Sequence, residues 1–571
     1  MKQILKKVSL LFFLLMTLGC FADSIPSPQF VTNNSSSILI TEISSYNEQD
    51  IIQSNYRQNA QKSTNYQTQP INYSLTNNRM YVSDHVLVQY KKDSISPMGG
   101  VSQVAATLNE NIQATVLADE NTLGLSGIQL VKIPNDTTVD AAILYYSNNS
   151  NVAYAQPDYI YQACDDSEAM TESLVTDNFT NYRSQKRESG VVSSNYSSPT
   201  LPSQVMNVAL GNNTTSSANW PNDPYYSYQW DMPNMAAPSA WAVSTGSSNV
   251  TVAVVDTGVD YTHPDLAANC VSGYDFFNND ANPMDDNGHG THCAGSIAAI
   301  GNNGVGIAGV TWNSKIMPLK FLNSGGQGYT SDALSAFAWG YARGVRIFSN
   351  SWGGYGADTA LQSAINTYSD AIFLCAAGND GVNIDNYIFS PAGLSCPNII
   401  SVAATGSSDT LASWSNYGVT TVDVAAPGVS IFSCKPGSSY QYMSGTSMAT
   451  PHVAGLAALA KAVNPGYTVA HTKSAIMSGV DTKSGLSGKC VTGGRVNANT
   501  TIRLTIALQA RFYGVPETQI LPLTVHFFDA STGNPISWQW TFGDGNTSIQ
   551  QNPVHTYTNS GTYTVSLTVQ R

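Results

Sequence analysis

The 571-residue chain has a formal net charge of −13, from 25 Lys+Arg against 38 Asp+Glu, and only 11% of its residues are charged. At roughly 100–200 residues per domain this length excludes a single compact unit, and the acidic balance excludes a nucleic-acid partner, whose phosphates need a basic footprint. The hydrophobic share of 42% is enough for a sizeable core, while Asn, Ser, Thr, Gly and Tyr replace the missing charge.

Lys2, Lys6 and Lys7 precede the apolar run Val8–Leu18 and then Gly19-Cys20-Phe21-Ala22, the order of a secretory signal peptide over residues 1–22. The run is shorter than the roughly 20 residues that cross a bilayer, and no other stretch is longer, so no transmembrane helix is expected. Cys20 is a candidate for lipid attachment at a cell surface. Residues 23–80, rich in Asn, Ser, Gln and Tyr, read as a disordered spacer. Residues 81–162 change style. Val86, Val88 and Tyr90 alternate as a strand, Ile128–Ile133 is another, Val139–Ser147 has helical spacing, and Val152–Tyr161 follows. Together they predict a small α+β unit. Residues 163–218 form a polar linker, in which Lys186-Arg187 is an exposed basic pair and a candidate processing point.

From 219 to 505 the fold class is α/β. Thr251–Val255, Lys315–Leu319, Val345–Ser349, Ala371–Ala376 and Ile399–Ala403 are continuous apolar runs. Such runs predict a mainly parallel sheet buried on both faces and flanked by helices. In 506–571, Leu523–Phe528, Ile536–Phe542 and Thr562–Val569 alternate at period two between Gly, Asn and Pro turns, which predicts a small β-sandwich.

Short segments inside the α/β region carry chemistry. Val254-Val255-Asp256-Thr257-Gly258 ends a buried strand in a carboxylate. Gly288–Gly295 (GHGTHCAG) opens a helix with His289, and Gly445–His452 (GTSMATPH) starts another helix with Ser447. A serine hydroxyl needs an adjacent base, an imidazole supplies one near neutral pH, and a buried carboxylate orients that imidazole. Asn379, in Ala376–Asp380 (AAGND), offers an amide donor for the oxyanion. Pro451 is expected in the tolerant first turn of the serine helix. His292 and His452 read as structural histidines.

VVDTG, HGTHCAG, AAGND and GTSMATPH, in that order, resemble the subtilisin-like serine proteases over residues 219–499. The resemblance implies an Asp256–His289–Ser447 triad with Asn379 as oxyanion donor, and a secreted endopeptidase of broad specificity acting on proteins and peptides. Ser351, Trp352, Gly353 and Gly354 match the family's substrate-binding strand. With Ala377 and Gly378 they imply an open, uncharged pocket favouring apolar side chains and disfavouring a kexin-like dibasic preference. Cys293 is expected as a buried free thiol, as in thermitase-like and proteinase K-like members. The other cysteines from Cys270 to Cys490 leave their pairing open. Structural calcium is implied at one site of Asp223, Asp265 and Asn303 side chains with Ile300, Val305 and Ile307 carbonyls, and at a second of Asp275 and Asp280 with carbonyls near Asn282 and Met284.

Residues 81–162 are similar to a subtilase propeptide, which implies a self-processed zymogen whose propeptide inhibits its own groove. Trp538–Gly545 (WQWTFGDG) and Asn552–Tyr557 resemble a PKD domain, which implies a module for a polymer or surface ligand; Trp538 and Trp540 share a face and read as core. Intact catalytic motifs stand against the rival reading of a non-catalytic adhesin. Asn213 and Asn546 are glycan acceptors where the host allows it.

Overall fold

The computed structural model describes residues 73–76, 79–91, 103–165, 219–506, 508–517, 521–533 and 535–570. The predicted signal peptide, Cys20, Lys186-Arg187 and Asn213 lie outside them. Among the described residues no helix is long and apolar enough to cross a membrane.

In the N-terminal unit, strand β1 (Arg79–Tyr90) pairs antiparallel with β2 (Ile128–Lys132) and with β3 (Val152–Ala163), and helices α1 (Gln103–Asn111) and α2 (Val139–Ser147) accompany them. Alternation along β1 sorts its side chains. Val86, Val88 and Tyr90 pack with Ala105 and Leu108 of α1 and with Ala142 and Tyr146 of α2. Leu87 points the other way, and with Ile128, Leu130 and Tyr161 it joins a core that belongs to the α/β domain. The sheet is therefore buried on both faces, one of them against a different domain.

That domain is built on β4 (Thr251–Asp256), α3 (His289–Ala298), β5 (Lys315–Lys320), β6 (Gln327–Tyr329), α4 (Thr330–Ala342), β7 (Ile347–Asn350), β8 (Trp352–Tyr355), β9 (Ile372–Ala376), β10 (Phe389–Ser390), β11 (Ile399–Thr405), β12 (Val424–Pro427) and α5 (Thr446–Val463). A nine-stranded sheet runs β12-β11-β9-β7-β4-β5 through its centre, and the central pairs are all parallel. Each apolar run feeds two cores. Val252 and Val254 of β4 face α3 and α5, whereas Ala253 and Val255 face α4. Burial on both faces explains why these segments read as unbroken apolar runs. The carboxyl ends of β4, β7 and β9 deliver Asp256, the stretch before Ser351, and Ala377 to one edge of the sheet.

The C-terminal residues form two three-stranded antiparallel sheets around Phe527, Trp540, Phe542, Tyr557 and Leu567. Trp540 is fully buried, and its indole donates to the Gln550 carbonyl; Trp538 packs against the same core. The last predicted strand is shorter than its pattern. Thr562–Val565 stay out of the ladder, which begins at Ser566, and Tyr563 stacks on Tyr557 at 4.3 Å instead.

Candidate active site

Asp256 ends β4 and His289 opens α3, and the two side chains meet with Nδ1 2.7 Å from Asp256 Oδ1. Gly290 permits this approach: a Cβ there would lie 2.0 Å from the Gly258 carbonyl and 3.1 Å from Asp256 Oδ1. Burial alone would lower the His289 pKa. The Asp256 carboxylate overcomes that, and with Asp165 and Asp285 behind it raises the imidazole to about 9. His289 Nε2 is buried without a hydrogen-bond partner, and Ser447 Oγ donates to the Ser351 carbonyl at 2.8 Å. Ser447 Oγ would have to leave that carbonyl before it could donate to Nε2.

Ser447 stands at the second position of α5, whose first N–H groups have no partner within the helix and lie at its positive dipole end. Pro451 lies beyond the first turn of α5, not within it as the motif suggested. Lacking an N–H, it leaves the Ser447 carbonyl without its usual helical donor. Ser351 Oγ at 2.9 Å and Cys293 Sγ at 3.6 Å take that place. Cys293 is buried and free, and burial pushes its thiol well above the usual range, so it is no competing nucleophile. All seven described cysteines are free. His292 Nε2 donates to the Ile431 carbonyl at 3.0 Å, and burial lowers its pKa to about 3. His452 bridges the Met448 carbonyl and Asp231, tying α5 to the start of the domain.

Asn379 follows β9, and its amide orientation is set by Thr446. Thr446 N and Oγ1 donate to Asn379 Oδ1 at 2.9 and 2.8 Å, which turns Nδ2 toward the groove. There Nδ2 donates to the Cys164 carbonyl at 2.7 Å, and Ser447 N donates to the same oxygen at 3.3 Å. The groove is filled by β3, which lies antiparallel between β8 and β6. Trp352 pairs with Ala163 and Gly353 with Gln162 on one side, and Gln327 pairs with Gln162 on the other.

Gly353 and Gly378 form the walls expected of an open pocket, but Phe389 of β10 reaches both. A Cβ on Gly353 would lie 2.1 Å from its ring, and one on Gly378 2.9 Å. The space is therefore narrower than glycine walls alone imply. Nothing in the sequence pattern marks Phe389, since β10 pairs with β8 only in three dimensions. Asp285 also escaped sequence reasoning. It accepts from Thr257 Oγ1 beside Asp256 and from Asn287 N, Gly288 N, Thr291 N and Thr291 Oγ1 around His289. Its place four residues before His289, in a helix-entry segment, was the available signal.

The side chains named for the first predicted cation site lie together. Asp223 and Asp265 are buried, and the loop carrying Asn303 closes on both: Asn302 N and Asn303 N donate to Asp223, Asn303 Nδ2 and Ile307 N to Asp265. Ile300 N bonds the Asp265 carbonyl, and Val305 N bonds Asn303 Oδ1. Burial above all, with the Asp223 charge adding, raises Asp265 to about 6. Buried carboxylates at odds with each other fit a divalent cation. At the second, Asp275 serves Asn278 with both oxygens and exposed Asp280 caps Asn282 N. Those carboxylates support local turns.

A family model described as the subtilase family matches residues 247–494, one for the PKD domain matches 512–571, and one for the fervidolysin N-terminal prodomain matches 67–158. A thermophilic serine proteinase of Bacillus sp. (strain AK1) is 36% identical over 426 residues, spanning 74% of this chain and 88% of the relative. Thermitase of Thermoactinomyces vulgaris is 42% identical over 286 residues, spanning 50% of this chain and 99% of its own. Subtilisin BL of Lederbergia lenta is 38% identical over 244 residues, 42% of this chain and 87% of its own. The chain belongs to the subtilase family: it is a serine protease with an N-terminal prodomain and a C-terminal PKD domain.

Proposed function

We propose that the chain is a secreted endopeptidase, made as a zymogen, in which Ser447 is the nucleophile, His289 its general base, Asp256 the carboxylate that orients His289, and Asn379 with Ser447 N the oxyanion donors. The observation that carries this reading is the Cys164 carbonyl held by both of those donors. A carbonyl oxygen placed there gains negative charge as Ser447 Oγ attacks its carbon, and the donors oppose that charge without rearranging. The acyl-enzyme so formed is hydrolysed by water with His289 acting in the reverse direction. Substrates add as a strand to Ser351–Gly354, which supplies backbone hydrogen bonds indifferent to side chain. Specificity is broad and apolar, limited in size where Phe389 narrows the space between Gly353 and Gly378. Calcium at Asp223, Asp265 and Asn303 would lock the N-terminal segment to the loop of residues 300–307, and the PKD domain would serve as an appended binding module. Ser447→Ala is expected to abolish casein hydrolysis and labelling by a fluorophosphonate at unchanged circular dichroism; retained hydrolysis would refute the reading.

A further inference from the structure

We infer that the first bond this protease cuts is its own Cys164–Asp165 peptide bond, so that the mature chain begins at Asp165. This rests on the reading of Ser447 as nucleophile and adds which bond is presented to it.

The register of β3 leaves one carbonyl in place. Ile160, Tyr161 and Gln162 pair with Tyr329, Gly328 and Gln327, Ala163 N donates to the Gly326 carbonyl, and Cys164 N donates to the Ser351 carbonyl at 3.1 Å. The next polar group along the strand is the Cys164 carbonyl on Asn379 and Ser447 N. A slip of one residue would turn every side chain of β3 to the opposite face, and three anchors forbid it. Tyr161 is fully buried, with its hydroxyl 2.9 Å from Asp358 Oδ2. Gln156 clamps Asp358 and the Ala360 N–H. Asp158 receives Ser331 N and Oγ at 2.9 and 2.7 Å. Past the carbonyl the chain runs tightly over Gly445, where a Cβ would lie 2.5 Å from Cys164 O and 3.2 Å from Asp165 Cα.

In the step itself Ser447 Oγ bonds to the Cys164 carbonyl carbon, and the bond from that carbon to the Asp165 nitrogen breaks. His289 carries the serine proton to that nitrogen. Water then adds its hydroxyl to the same carbon, the bond from that carbon to Ser447 Oγ breaks, and the other water proton passes through His289 to Ser447 Oγ. The products are a prodomain ending in the Cys164 carboxylate and a protease beginning with the Asp165 amine. The Lys186-Arg187 pair then remains on the mature chain after this cut.

The test expresses the full chain and reads the earliest fragments by intact mass and N-terminal sequencing. The expected result is a large fragment starting at Asp165 with a partner ending at Cys164, and a single uncut chain for Ser447→Ala. Asp165→Pro favours an extended preceding residue and replaces the scissile N–H with a ring nitrogen, and is expected to slow the first cut at least tenfold. An earliest fragment starting at Glu188 or any residue other than Asp165, or unchanged processing of Asp165→Pro, overturns the inference while casein hydrolysis persists. Casein hydrolysis by Ser447→Ala overturns the underlying reading instead.

Discussion

Asp285 joins two parts of the active site through one carboxylate, holding Thr257 next to Asp256 and the backbone around His289. Thr257 N in turn donates to Asp256 Oδ1 at 2.7 Å. Asp285→Asn keeps the shape and removes the charge and part of the acceptor capacity. It is expected to lower kcat by about tenfold, a barrier change of about 1.4 kcal/mol, with KM nearly unchanged and the acid limb of the pH profile shifted to lower pH, because Asp285 helps hold His289 protonated. A KM rise alone would contradict that role. His289 works as a base only when neutral, so the first cut is expected to accelerate as pH rises toward about 9. Asp165 contributes to that raised value, and the proposed cut would release it from the Cys164 carbonyl that holds it beside His289. The acid limb of casein hydrolysis by the mature enzyme should therefore lie below that of self-processing, as paired pH profiles would reveal. At Phe389, replacement by glycine is expected to favour aromatic over alanine residues before the cut by about tenfold, within the range of hydrophobic pocket discrimination. Competing peptide substrates measure this.

Helix α4 shows how elements from distant sequence complete each other. Its N-cap, Tyr329, supplies no side-chain acceptor, and Asp158 from β3 takes the role by accepting Ser331 N. Asp358 nearby collects Gln156, Tyr161 and Thr330, and Arg79 lies over the Tyr159 ring at 3.6 Å while bonding the Ala357 carbonyl. Asp158→Ala is expected to weaken prodomain retention by about 1 kcal/mol, the worth of a cap, and so to shorten the lag between the first cut and full casein hydrolysis. An unchanged lag would assign retention to the apolar contact alone. The elements themselves were legible where one period dominates: Val139–Ser147 is the helix its spacing predicts, and the buried runs became β4, β5, β7, β9 and β11 within one or two residues. Pro451 was misplaced because the helix start depends on the turn from Gly445, which packing determines.

Over the whole molecule the prodomain and protease share a core. Leu87, Ile128 and Leu130 pack in one cluster with Ala333, Leu334 and Phe337, and departure of the prodomain uncovers that apolar surface. Asp223 and Asp265 make contacts of comparable range, since both hold the loop before β5 and Asp223 belongs to the domain's first segment. Chelation is expected to lower Tm, and Asp223→Ala to remove the difference between calcium and chelator, because a ligand stabilises only the state that binds it; differential scanning calorimetry reads both. The family was legible in the sequence alone, and so were Asp256, His289, Ser447 and Asn379 as candidates, because each sits in a short motif whose turn glycines and neighbouring strand or helix are local. The tertiary structure alone decided which carbonyl meets Asn379, that Phe389 stands between Gly353 and Gly378, and that Asp158 caps a helix of another domain. Those outcomes depend on strand register and on contacts between segments far apart in the chain, which no local pattern encodes.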